Sequence, residues 1–176
     1  MRRAATRPRQ LPRRHPHKRN RRTVLTGPAA LTNSASATFT FSSDEPGSSF
    51  QCTLDGAAFA ACASPKSYSG LNDGSHTFEV KAIDSGGAAD PTPAAHTWTI
   101  DTTVPETTLT GTPANPSDSS AASFTFSSEA GATFECKLDG NAYAVCTSPQ
   151  SYSGLSDGSH TFQVRAKDAA GNVDPT

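Results

Sequence analysis

SYSGLNDGSHTFEV, at residues 67–80, returns as SYSGLSDGSHTFQV at residues 151–164. Carried on to Asp84 and Asp168, the two copies agree at 14 of 18 positions. Every matched pair stands 84 residues apart, Tyr68 with Tyr152 and His76 with His160. That period exceeds the repeat of a helical solenoid and suits one small β domain. Asp73-Gly74 marks a turn, and the residues after it alternate. His76, Phe78, Val80 and Ala82 fall on one face, and Thr77, Glu79 and Lys81 on the other. Alternation of this kind is the mark of a half-buried strand. The string therefore sets both the unit and its class, an all-β domain present twice.

The flanks extend the pattern. ATFTF at 37–41 places Phe39 and Phe41 together, and SFQCTL at 49–54 does the same for Phe50, Cys52 and Leu54. Asp55-Gly56 is a hairpin signal, followed by AAFAAC. A strict two-residue turn would set Cys52 opposite Phe59, so a Cys52–Cys62 bridge needs a wider loop or a bulge between Phe59 and Cys62. SPKSYSG reads as irregular and DSGGAADPTP as a polar loop. AHTWTI is a last strand with His96, Trp98 and Ile100 alternating, and DTTVPE at 101–106 is a short linker that tethers its neighbours closely. The second copy repeats the order through SFTF, TFECKL, Asp139-Gly140, AYAVC, the motif strand and DAAGNVDPT, with no counterpart of AHTWTI. The expected division is a basic tail at 1–22, a first repeat at 23–106 and a second repeat at 107–176 that lacks its last strand. Such a domain has an open core and an unpaired edge, as expected of a fragment or of a domain completed by a neighbouring chain. The alternation assigns Phe39, Phe41, His76, Phe78, Val80 and Trp98 to the first core, and Phe124, Phe126, His160, Phe162 and Val164 to the second.

Composition agrees with small cores. Hydrophobic residues make up 34% of the chain, well under the usual share for a globular domain. Small polar domains often rely on covalent staples. Cys52 and Cys62 form one C-x9-C pair, and Cys136 and Cys146 form its copy. Even numbers at a repeated spacing point to one disulfide per repeat and an oxidising compartment. Free thiols or a metal are the alternatives, but zinc wants four ligands at closer spacing. The formal net charge of −1 hides an asymmetry. Residues 1–22 hold nine Arg, one Lys and no acid, whereas all 16 acids lie after them. The tail reads as a disordered segment, or as an arm for nucleic acid or an anionic surface. Arg21-Arg22 is not taken as an export signal, because TVLTG at 23–27 recurs internally as TTLTG at 107–111. Repeat two is preceded by AHTWTIDTTVPE and repeat one by the basic run, which suggests a further repeat upstream and a tail that is a wrongly called start. No run of 18 apolar residues occurs, so no membrane span is expected.

TFTFSS, C-x3-DG-x5-C, GL-x-DGSHTF-x-V, D-x-AGN-x-DPT and WTIDTT-x-P together resemble the bacterial immunoglobulin-like repeats found in tandem in large secreted and surface proteins. LNDGSHTFEV also resembles the equivalent strand of fibronectin type III domains, where a Tyr commonly stands at the position of His76 and His160. The resemblance covers residues 23–176 and implies two tandem antiparallel β-sandwiches. It departs from antibody domains, because both cysteines lie in one hairpin and the only Trp is on the last strand.

Candidate chemistry is sparse. His76 and His160 have Asp73 and Asp157 nearby in sequence but no nucleophile of their own, so each reads as a core-edge His that holds a backbone group. No nucleophile elbow or phosphate loop occurs. Asp84, Asp90 and Asp101 are candidate calcium ligands, expected to gather at a domain junction; the competing reading is turn chemistry. The expectation is a non-catalytic structural or adhesive module of a secreted or cell-surface protein, without a cofactor unless calcium serves. Its partners would be neighbouring repeats and surface or matrix ligands. An accessory, carbohydrate-contacting module of a secreted hydrolase would need exposed aromatics. Nucleic-acid binding by the tail is opposed by the acidic body.

Overall fold

The computed structural model describes residues 22–175, all of it strand, turn and loop. The expectations for the basic tail fall outside these residues. The first repeat contains β1 (Thr23–Thr26), β2 (Leu31–Thr32), β3 (Ala37–Ser43), β4 (Ser49–Leu54), β5 (Ala60–Cys62), β6 (Lys66–Tyr68), β7 (Gly74–Ile83) and β8 (Ala94–Ile100). The second contains β9 (Thr108–Gly111), β10 (Ala122–Ser127), β11 (Thr133–Leu138), β12 (Ala144–Cys146), β13 (Gln150–Tyr152) and β14 (Phe162–Lys167). The first repeat stacks sheet β1-β3-β6 on sheet β2-β8-β7-β4-β5, and the second stacks β13-β10-β9 on β12-β11-β14. Every strand pairing among the described residues joins strands of one repeat.

Alternation builds each core. Along β3, Ala37, Phe39 and Phe41 are buried between exposed Thr38, Thr40 and Ser42; along β7, Phe78, Val80 and Ala82 are buried. Phe39 and Phe78 meet across the sandwich as a stacked pair 4.1 Å apart, and Phe124 and Phe162 repeat that stack at 4.1 Å. The cores then diverge. Trp98 from β8 lies 5.1 Å from Phe39, and both are sealed from solvent. The second repeat has no strand in that place among the described residues, and Phe124 and Phe162 are only half-buried. Trp98 Nε1 is buried without a hydrogen-bond partner, a cost accepted for filling the core.

Three departures from the sequence reading have physical causes. SPKSYSG is not irregular: Ser64 Oγ accepts the Phe41 N–H, and β6 then pairs with β3 so that Tyr68 packs on Phe39 and Phe78. The hairpin register is Cys52 opposite Ala60 and Phe50 opposite Cys62. Asp55 (φ 52°) and Gly56 (φ 73°) make the tight turn, and the extra residue falls between Ala57 and Phe59, earlier than expected. His160 is exposed and lies outside the core, whereas His76 sits at the core edge, its ring 5.4 Å from that of Trp98. Both rings also reach polar partners.

Gly27 closes the repeated TVLTG string, and its role is steric. A Cβ there would stand 2.7 Å from the Phe39 ring and 2.8 Å from His96. His96 Nε2 in turn lies 3.0 Å from Pro28 O, which fixes the chain entering β2 against β8.

Candidate functional site

Two constructions stand out: a histidine clamp in each repeat and the junction between the repeats. The clamp begins with the hairpin turn. Asp55 Oδ1 accepts the Thr77 N–H at 2.8 Å, and the Asp55 N–H reaches Thr77 O at 2.9 Å. His76 Nδ1 lies 2.7 Å from Asp55 Oδ2, and its Nε2 lies 2.9 Å from Asn72 O. The second repeat copies this arrangement. Asp139 accepts Thr161 N–H at 2.7 Å, and His160 bridges Asp139 at 2.8 Å and Ser156 O at 3.0 Å. Each His thus ties the hairpin turn to the turn that precedes the motif strand.

Both ring nitrogens face acceptors, a carboxylate and a carbonyl. Only the doubly protonated imidazole donates to both. The hydrogen bond to Asn72 O, then that to Asp55, raises the His76 pKa. Asp139, then Ser156 O, does the same for His160. Partial desolvation pushes Asp55 up, but its bonds from His76 and Thr77 outweigh it and leave it below the ordinary value. The bonds from His160 and Thr161 hold Asp139 low. With Nε2 committed to a carbonyl, neither His is placed to take a proton from a nucleophile.

The titrations set a pH window. A raised His pKa contributes stability that is complete below the ordinary 6.5 and is lost as pH rises through the folded-state value. A lowered Asp pKa contributes stability present above 3.8 and lost as pH falls through the folded-state value. Stability from the clamps is therefore greatest between these two ordinary values. The melting temperature is expected to be higher at mildly acidic than at mildly alkaline pH, and His76→Gln with His160→Gln should flatten that slope. An unchanged slope in the double variant would show that the clamps carry none of it.

The junction is built from the linker and the DAAGNVD loop. Thr102 Oγ1 donates to Asp73 Oδ1 at 2.8 Å, which fastens the linker to the first repeat's motif turn. Thr103 N–H caps Asp101 Oδ1 at 3.1 Å. Pro105 is buried, and Ser128 Oγ donates to Glu106 O at 2.7 Å. From the other side, Asn172 Nδ2 donates to Asp101 O at 2.8 Å and to Asp168 Oδ2 at 2.8 Å. Asp168 holds the loop by accepting the Gly171 and Asn172 amides at 2.7 and 2.8 Å. Desolvation raises its pKa, yet Asn172 and the loop amides bring it below the ordinary value. A side chain at Gly171, where φ is 99°, would stand 3.7 Å from Asn33 Nδ2 of the first repeat. The first repeat carries Ala88 where the second has Asn172, so its own loop lacks the docking amide.

The three candidate calcium ligands do not converge. β7 and β8 are antiparallel, with Gly74 opposite Ile100. Asp101 therefore follows β8 at one end of the sandwich, while Asp84 follows β7 at the other, with Asp90 nearby. Their oxygens serve the chain itself: Asp84 accepts the Gly86 and Ala88 amides, and Asp90 accepts Thr92 N–H at 2.9 Å. Among the described residues no group of three or more His, Cys, Asp or Glu is placed to hold a metal ion. The sequence reading missed that Asp101 meets the second repeat's loop, whose Asp168 and Asp174 are counterparts of Asp84 and Asp90; the 84-residue offset carried that information.

The cysteines pair within each hairpin, Cys52 with Cys62 at a Cα separation of 5.9 Å and Cys136 with Cys146 at 5.7 Å. On the outer sheet faces, cations cover the aromatic rings. Lys81 lies 4.0 Å from the Phe59 centroid, and Lys137 and Arg165 lie 4.7 and 4.1 Å from that of Tyr143.

No family model and no curated protein matches the sequence. Among solved structures the chain is similar to the fibronectin(III)-like modules of Clostridium thermocellum CbhA, with a TM-score of 0.52 and 16% identity over 85% of this chain and 88% of that one. That likeness shows the fold: both repeats are β-sandwiches of the fibronectin(III) and immunoglobulin-like kind.

Proposed function

We propose that the chain is a non-catalytic structural and adhesive module, a stretch of tandem array that holds other parts of a secreted or cell-surface protein at a set distance. The observation that carries this reading is the linker, bound by Asp73 of one repeat and by Asn172 of the next. A spacer must resist bending at its joints, and bonds to the linker from both repeats, to its Thr102 hydroxyl on one side and its Asp101 carbonyl on the other, do that. One disulfide per small sandwich suits an oxidising, extracellular setting. The partners are neighbouring repeats and surface ligands.

Small-angle scattering of the full chain tests the joint. The native chain should give a narrow two-lobed distance distribution. Asn172→Ala removes two hydrogen bonds, roughly 1 kcal/mol each, and should broaden that distribution while both repeats stay folded. A native chain already as broad as the variant would remove the spacer reading.

A further inference from the structure

The turn before β7 meets the histidine clamp on one side and the linker on the other. Leu71 N–H donates to Ala35 O, and Gly74 begins the ladder with β8, opposite Ile100. Between these two fixed points stand Asn72 and Asp73. Asn72 O faces His76 Nε2 at 2.9 Å. Asp73 faces the linker: Thr102 Oγ1 donates to its Oδ1 at 2.8 Å, and Thr103 Oγ1 lies 3.4 Å from its Oδ2. Asp101, just before, is held separately, its N–H on Thr32 O and its carbonyl on Asn172. Asp73 therefore governs the part of the linker that follows Asp101, and His76 grips the residue before Asp73.

We propose that His76 is a proton-operated catch on the joint: the doubly protonated ring pins the Asn72-Asp73 turn and stiffens the linker, and the singly protonated ring releases both. The catch rests on the spacer reading of the joint and adds a regulator to it. A neutral imidazole has one N–H for its two acceptors. The bond to the Asp55 carboxylate is charge-assisted and the stronger of the two. The proton therefore stays on Nδ1, and Nε2 turns a lone pair toward Asn72 O. The turn loses its tie to the clamp, and Asp73 loses its fixed aim at Thr102.

The groups around the ring leave this change to His76. Asp55 comes from the β4–β5 turn, and Trp98 of β8 lies 5.4 Å from the ring. Asp55, held low by His76 and Thr77 against its desolvation, stays ionised. Hydrogen bonds from Thr102 and then Thr103 hold Asp73 below the ordinary carboxylate value, so it stays ionised too. Burial and then the charge of Asp55 raise Tyr68 of β6, which stays neutral. His96 of β8 lies 6.2 Å from Trp98 and is engaged with Pro28 O at 3.0 Å. The bonds to Asn72 O and Asp55 raise His76, so the catch is closed at mildly acidic pH and opens as pH rises through a value above the ordinary 6.5.

Small-angle scattering of the full chain across this range, paired with NMR titration of the His76 ring, tests the catch. The expected result is loss of the narrow two-lobed distance distribution at mildly alkaline pH, with a midpoint that coincides with the ring titration, while Trp98 emission shows the first repeat still folded. His76→Gln should remove the pH response. Thr102→Val, which leaves every bond of the clamp in place, should give the broad distribution at both ends of the range. His160→Gln, in the other clamp, should respond as the native chain does. A distribution that stays narrow throughout would overturn the catch and leave the spacer reading standing, whereas one broad throughout would remove both. A pH response that persists in His76→Gln or in Thr102→Val would also overturn the catch.

Discussion

Phe78→Ala is expected to unfold the first repeat under conditions in which the second stays folded. Phe78 is fully buried, stacks on Phe39 and touches Phe41 and Tyr68. Removing such a ring costs roughly 3–5 kcal/mol, from lost transfer free energy and from the cavity left behind. Small domains hold only about 5–15 kcal/mol in total, and the first core has just eight buried members. The single Trp of the chain is Trp98, so its emission reports on this repeat alone. Denaturant titration of that emission should show the midpoint falling sharply, while amide exchange at 162–164 shows the second repeat unmoved. A shift under about 1 kcal/mol would mean that the Phe39–Phe78 stack is not the centre of the core.

Loss of the disulfides should rank second, and it should hit the repeats unequally. Each bridge spans ten positions of sequence. Closing a loop of that size stabilises by roughly 3 kcal/mol on the chain-entropy estimate. The second repeat has three residues in its buried cluster against eight in the first. The same loss is a larger part of its stability, so Cys136→Ser with Cys146→Ser should melt the second repeat outright. Cys52→Ser with Cys62→Ser should leave a folded but weakened first repeat. Mass measurement with and without reductant, showing a gain of about four hydrogens, checks that both bridges were present. Equal melting shifts in the two double variants would contradict the ordering.

Much of this architecture was legible because it is periodic. The 84-residue offset marked the unit, and strict alternation in ATFTF and in the motif strand marked the inward Phe39, Phe41, Phe78 and Val80. β6 was hidden because its partners lie far along the chain: Lys66 and Tyr68 become a strand only when β3 offers an edge. Alternation misled at His160, which is exposed, while His76 keeps its place at the core edge beside Trp98. Both rings are held by a carboxylate and a carbonyl that accept their N–H groups, and no pattern of period two records those partners. The Asp residues misled for a related reason. Sequence proximity grouped Asp84, Asp90 and Asp101, but an antiparallel turn between β7 and β8 sends Asp101 to the opposite end. Asn172 was readable only as part of a loop, since its role depends on where the preceding repeat sits.

The motif strand gives the most direct measurement, because nearly the same sequence stands in two settings. Native-state amide exchange of the full chain compares 78–80 with 162–164. β7 is flanked by β4 and β8, while β14 has β11 alone among the described residues. Exchange at 78–80 is expected only through global unfolding of the first repeat, and exchange at 162–164 through local opening, faster by orders of magnitude. Equal protection at the two sites would contradict a second sandwich that stands open along β14.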